Sequence, residues 1–106
     1  KARVLHSVGE IQKRRGNLQV ALGHFQDVLE ITRSFDDRYS EAMALMAIAQ
    51  VNTASGDTEQ GLKFANQALK ILRKIGADQE AGMVAESIKR AEESLEQTQK
   101  KMTDEE

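Results

Sequence analysis

At 106 residues with 40% hydrophobic content, the chain is sized for one domain and can bury one core if its layers stack well. It has no proline and no cysteine, so nothing interrupts a helix from within, and neither a disulfide framework nor a thiolate metal site can form. The formal net charge is −2 with both signs interspersed, which offers nucleic acid or an anionic membrane surface no general foothold.

Strong helix formers dominate the composition and predict an all-α protein without strands. The first helix is expected over about residues 2–15, with Val4, Leu5, Val8, Ile11 and Gln12 in a narrow stripe. Gly16 stops it, after Lys13, Arg14 and Arg15 have complemented the negative helix end. Asn17 is the expected cap of a second helix over about 18–35, and Asp36 and Asp37 mark the next break and cap. The third helix, about 38–55, is apolar nearly all round from Ala42 to Ala49 and should lie between neighbours on several sides. Gly56 ends it, and Asp57 with Gln60 forms the signature of a capping box for a fourth helix over about 58–75. Gly76 and Asp78 repeat the stop and cap. The fifth helix, about 79–102, carries Ala81, Val84, Ala85, Ile88, Ala91, Leu95 and Met102 on one side only, which suits a helix closing the end of a stack. From Lys100 the pattern fades, and a frayed end is expected.

The Gly16-Asn17 and Gly56-Asp57 steps stand forty residues apart, and the flanking patterns superpose at that offset. Leu5 pairs with Leu45, Val8 with Ile48, Ile11 with Val51, Leu22 with Leu62, Leu29 with Leu69, Ile31 with Ile71 and Arg33 with Arg73. The expected division is one repeat over 2–36, a second over 38–76, a capping helix over 78–102 and a tail over 103–106. No apolar run approaches the ~20 residues that span a bilayer, and no signal peptide is visible; a soluble cytoplasmic protein is the expectation. The chain opens in mid-pattern at Lys1, as a piece of a longer protein would.

These residues resemble tetratricopeptide repeats. The first unit carries Leu5-x₂-Val8-Gly9, Gly16-Asn17 and Ala21-x₃-Phe25; the second carries Leu45-x₂-Ile48-Ala49, Gly56-Asp57 and Gly61-x₃-Ala65. Small residues at Gly9, Ala21, Ala49 and Gly61 would let the two helices of a unit approach closely. Gln12 and Asn52 depart from the pattern where an aromatic is usual. The forty-residue period is similar to that of spindle and G-protein regulator scaffolds, kinesin light chains and some bacterial transcription activators. The resemblance implies a right-handed α-solenoid of two helix-turn-helix repeats closed by a C-terminal helix.

It further implies that the first helix of each unit lines a concave groove for a protein or peptide partner. Carried over by position, that groove holds Arg3, His6, Glu10, Lys13 and Arg14 from the first helix. Met43, Met46, Gln50 and Thr53 come from the third helix, and Met83, Glu86 and Arg90 from the fifth. Met43 and Met46 have two open readings, core fill or an adaptable ledge against a partner. Arg3, Lys13, Arg14 and Arg15 could hold acidic groups through charge-assisted hydrogen bonds, or could be a solvated helix end. Glu10 stands where co-chaperone members place an asparagine, which disfavours capture of a chaperone-tail carboxylate.

Nothing points to an enzyme or to a cofactor. His6 and His24 lie on different helices with no zinc spacing, and Asp36-Asp37 and Glu92-Glu93 lack an enclosed pocket that would tune them for acid–base work. The expected function is an interaction scaffold whose groove takes an acidic, amphipathic segment of another protein. The alternative is a structural or self-associating block of a longer repeat protein, oligomerising through exposed repeat ends, and a sensor of a small ligand stands third.

Overall fold

A computed structural model describes the backbone over residues 2–104 and the side chains over residues 6–100. Among the described residues it consists of α1 (Ala2–Arg14), α2 (Leu18–Ser34), α3 (Arg38–Ala54), α4 (Thr58–Lys74) and α5 (Asp78–Asp104). Each helix packs against the next, and α1 also touches α3. The result is a slab of 50 × 32 × 18 Å, whose thinnest dimension matches a helix pair of ~10 Å members. It is an all-α solenoid.

The connections explain the regularity. Gly16, Gly56 and Gly76 have φ of 82°, 92° and 78°, and Asp36 holds the equivalent place at 53°. At each of these four positions the left-handed residue closes the same pair of hydrogen bonds on the preceding helix. The Asn17, Asp37, Asp57 and Ala77 N–H groups donate to the carbonyls of Gln12, Thr32, Asn52 and Leu72 at 2.8–2.9 Å. The Gly16, Asp36, Gly56 and Gly76 N–H groups donate to those of Lys13, Arg33, Thr53 and Arg73 at 3.0–3.2 Å. This paired closure satisfies carbonyls that a helix end leaves orphaned. The backbone therefore repeats every twenty residues, although the sequence repeats every forty.

The caps are less uniform than expected. Asp37 and Asp57 accept from the N–H groups of Ser40 and Gln60, each at 3.2 Å. The Ser40 hydroxyl and N–H hold the Asp37 carboxyl below its ordinary 3.8, so this cap keeps its charge further into acid than a free aspartate would. The reciprocal arm of the box at Asp57 is missing, because the Asp57 N–H is committed to Asn52. Asn17 does not cap α2: its Nδ2 donates to Gln12 Oε1 at 2.7 Å, so the two polar residues of this turn satisfy each other. Asp78 lies in the first turn of α5 rather than at its cap. Residues 103 and 104, expected in a frayed tail, belong to the last turn of α5, whereas 105 and 106 lie outside the described residues.

The core runs along the slab. Phe25, Leu45, Ile48, Val51 and Leu72 are its largest fully enclosed side chains. Residues 21–36 and 61–76 share one pattern of burial position by position, which is the structural counterpart of the sequence repeat. Helix α3 is covered on both sides, as its all-round apolar character requires: Ala42, Ala44, Leu45, Ala47, Ile48, Ala49 and Val51 are all buried. On α5, Ala81, Val84 and Ile88 are buried and Ala85, Ala91 and Leu95 are half-buried, while the Met102 side chain lies outside the described residues.

Within each repeat the paired helices meet at small residues. A Cβ added at Gly9 would stand 2.8 Å from Phe25 Cε1, and one at Gly61 would stand 2.5 Å from Thr53 Oγ1 and 2.9 Å from the Ala49 carbonyl oxygen. Glu41 ties the repeats together. Its buried carboxylate accepts from Arg33 Nε at 3.0 Å and lies 3.5 Å from Arg38 Nη1, joining the end of α2 to the start of α3.

The shared turn geometry predicts the effect of one substitution. Asp36 is the left-handed position that lacks a glycine, and its ion pair with Arg38 at 3.4 Å is exposed and worth little. Asp36→Gly should therefore stabilise the fold by ~0.5–1 kcal/mol in urea unfolding. A loss of stability would mean that the Asp36 side chain, and not the turn conformation, holds this connection.

Candidate functional site

The first helices of the repeats, α1 and α3, stand side by side with α5, as the repeat architecture requires. Between α1 and α3 the contact is polar. Lys13 Nζ lies 2.9 Å from Glu10 Oε2 and donates to Gln50 Oε1 at 2.7 Å. His6 Nε2 is 3.7 Å from Glu10 Oε1, and the His6 ring rests on Phe25 with centroids 5.3 Å apart at a 58° tilt. Lys13 is thus already engaged from two sides. Arg14 is exposed at the end of α1, and the Arg3 side chain lies outside the described residues.

Between α3 and α5 lies a mainly apolar hollow rather than a direct polar bridge. An open groove of about 230 Å³ is lined by Met43, Met46, Gln50, Glu80, Met83, Val84 and Ser87. Met43 and Met46 are half-buried and packed on the core, so each presents one side inward and one side to the groove. Met83 is 66% exposed, which leaves a flexible, polarizable side chain standing in solvent. A second pocket, of about 360 Å³, opens beside the groove between α3, α4 and α5, and Met46, Gln50 and Ser87 line both. Thr53 belongs to this second pocket, and its hydroxyl donates to the Ala49 carbonyl at 3.0 Å.

Glu86 and Arg90 line neither pocket and stand exposed on α5. The cause is a shift between neighbouring helices. Lys13 meets Gln50 thirty-seven residues on, and the same offset relates Met46 to Met83, Gln50 to Ser87 and Met43 to Glu80 across the α3–α5 groove. Adjacent first helices are therefore offset by about one helical turn relative to the forty-residue repeat. A carry-over by forty selects Glu86 and Arg90, whereas one by thirty-seven finds Glu80 and Ser87. That offset arises from helix packing and decides which α5 residues line the groove.

Other large apolar side chains are exposed elsewhere. Phe35 is 80% exposed at the end of α2, and Val20 is 51% exposed on α2. Ile11 is 48% exposed although its repeat mate Val51 is at 1%, because α3 packs between α2 and α4 whereas α1 packs on α2 and only touches α3. Among the described residues, no group of three or more histidine or acidic side chains could hold a metal ion, and no helix is long and apolar enough to cross a membrane.

The chain matches the tetratricopeptide-repeat family over residues 1–74, from the first residue to the end of α4. With paired helices meeting at small residues and repeating at forty-residue spacing, it belongs to that family. Such repeats generally mediate protein–protein interaction, and the family is generally a non-enzymatic scaffold. No match to a curated protein is found.

The groove geometry orders the reactivity of its methionines. Dilute hydrogen peroxide should oxidise Met83 well before Met43 and Met46, as read by peptide mass spectrometry, because thioether oxidation follows exposure. Equal rates at the three sites would mean that the groove walls open freely in solution.

Proposed function

We propose that the chain is an interaction module whose α3–α5 groove receives an amphipathic helix or extended segment of a partner protein. The observation that carries this reading is the cluster of Met43, Met46 and Met83 along one open groove, with Met83 still exposed. An adaptable apolar strip flanked by polar residues suits a partner that lays one face into it. The forty-residue period also keeps the likeness to spindle and G-protein regulators and to kinesin light chains, which are scaffolds of this type.

An acidic partner has less support than the sequence suggests. Lys13 is paired with Glu10 and Gln50, Arg90 stands outside the groove lining, and Glu80 adds a negative charge to it. Recognition is therefore mainly apolar, with polar contacts from Gln50 and Ser87 setting register. The second reading is a self-associating block, favoured by the exposure of Phe35, Ile11 and Val20 away from the groove.

The test is selection of peptide binders from a displayed library of amphipathic sequences. The selected peptides should lose at least about thirtyfold in affinity on Met46→Glu/Met83→Glu, with helicity by circular dichroism unchanged. Met83→Glu alone, at an exposed position, should already weaken them severalfold. Binders that ignore both variants would overturn the groove reading in favour of self-association.

A further inference from the structure

The two repeats are alike in backbone but differ at one interior position. In the first, Phe25 is fully enclosed, with its ring over Gly9 and the His6 ring against it. In the second, Ala65 occupies the place of Phe25, and the surroundings shrink with it. Gly61 stands for Ala21, Ala91 for Val51, and the flexible Met46 for His6. All four of these second-repeat residues line the 360 Å³ pocket between α3, α4 and α5. The pocket is therefore the space that a phenylalanine and its neighbours fill in the preceding repeat, left open here.

Interiors of natural proteins are close-packed, and an apolar hollow of this size lacks the dispersion contacts its lining could make. The protein's own first repeat shows which group restores them: an aromatic ring set between the small residues of two paired helices. Because Met46 borders both hollows, the pocket joins the groove at a flexible wall.

We propose that this pocket is the anchor site of the groove and takes one aromatic side chain of the partner segment, in the place that Phe25 fills in the first repeat. The inference rests on the groove reading above and names its specificity determinant. A buried aromatic anchor in a fitted pocket dominates binding in interfaces of this kind, with the remaining contacts supplying complementarity.

The test uses a peptide selected as above and a variant copied from the first repeat. Ala49→Gly/Ala65→Phe fills the pocket with the ring and supplies the glycine that the ring needs, so the variant should fold with an unchanged or raised thermal midpoint. Ala91→Val, also taken from the first repeat, is a smaller change that narrows the same space and keeps the test open if the double variant fails to fold. Selected peptides should share an aromatic residue whose change to alanine weakens binding about thirtyfold. The filled variant should lose a similar factor and become indifferent to that change, and Ala91→Val should lose a smaller one. Peptides that need Met46 and Met83 but carry no aromatic, or that bind the filled variant equally well, would overturn the anchor while leaving the groove standing. N-acetyl-phenylalanine amide serves as the free-ring control. If it bound as tightly as the peptide, the site would belong to a small aromatic molecule and the proposal would fail.

Discussion

The close approach of the two helices within each repeat is the constraint on which the rest of this protein depends. In the first repeat Gly9 yields the space that the Phe25 ring occupies. In the second the small residue moves to the other helix, where Gly61 admits the Ala49 carbonyl and the Thr53 hydroxyl. A ring fills the space of the missing side chain in the first repeat, and a backbone carbonyl and a hydroxyl fill it in the second, so that dispersion between close-packed surfaces compensates for its loss. Once each pair is set, the left-handed turn returns the chain at a fixed angle, and the pairs stack into a slab two helices thick.

That constraint also connects fold to function. Stacked pairs place alternate helices on one wall, so whatever side chains project there face a common groove. Between α1 and α3 the wall is bridged by the Lys13–Gln50 hydrogen bond, with Glu10 of α1 holding Lys13 from its own helix. Between α3 and α5 it stays open and apolar, with a hollow beneath it where the second repeat lacks its ring. The interaction surface proposed above thus lies at the second repeat and α5. Lys89 reinforces this asymmetry: it occupies the position on α5 that Gly9 and Ala49 hold on α1 and α3, where a second helix would need a small residue.

Much of the architecture was legible in the residues. Glycines at forty-residue spacing, apolar stripes at helical period and the small positions of each pair identified five helices and their order, because local propensity and pattern agree with the global fold. The turns hid their true period, since Asp36 takes the left-handed conformation without being glycine, and only the backbone reveals a twenty-residue repeat. Glu41 gave no signal at all. A glutamate in the first turn of a helix reads as solvated, and its burial is matched by Arg33 from the last turn of α2 and Arg38 from the first turn of its own helix. The groove was half legible: Met43, Met46, Gln50 and Met83 come together, while the one-turn shift between neighbouring helices exchanges Glu86 and Arg90 for Glu80 and Ser87. Register between packed helices is a tertiary property that one sequence does not carry on its surface.

The most direct measurement is a double-mutant cycle on Gly9 and Phe25, read by urea unfolding. If the ring and the missing Cβ are one interaction, Gly9→Ala destabilises by about 1–3 kcal/mol in the native background. In the Phe25→Ala background, where the double variant reproduces the Ala49/Ala65 pairing of the second repeat, the same change should cost less than about 0.5 kcal/mol. Equal costs in the two backgrounds would contradict close helix approach as the origin of the repeat, and with it the account of the pocket.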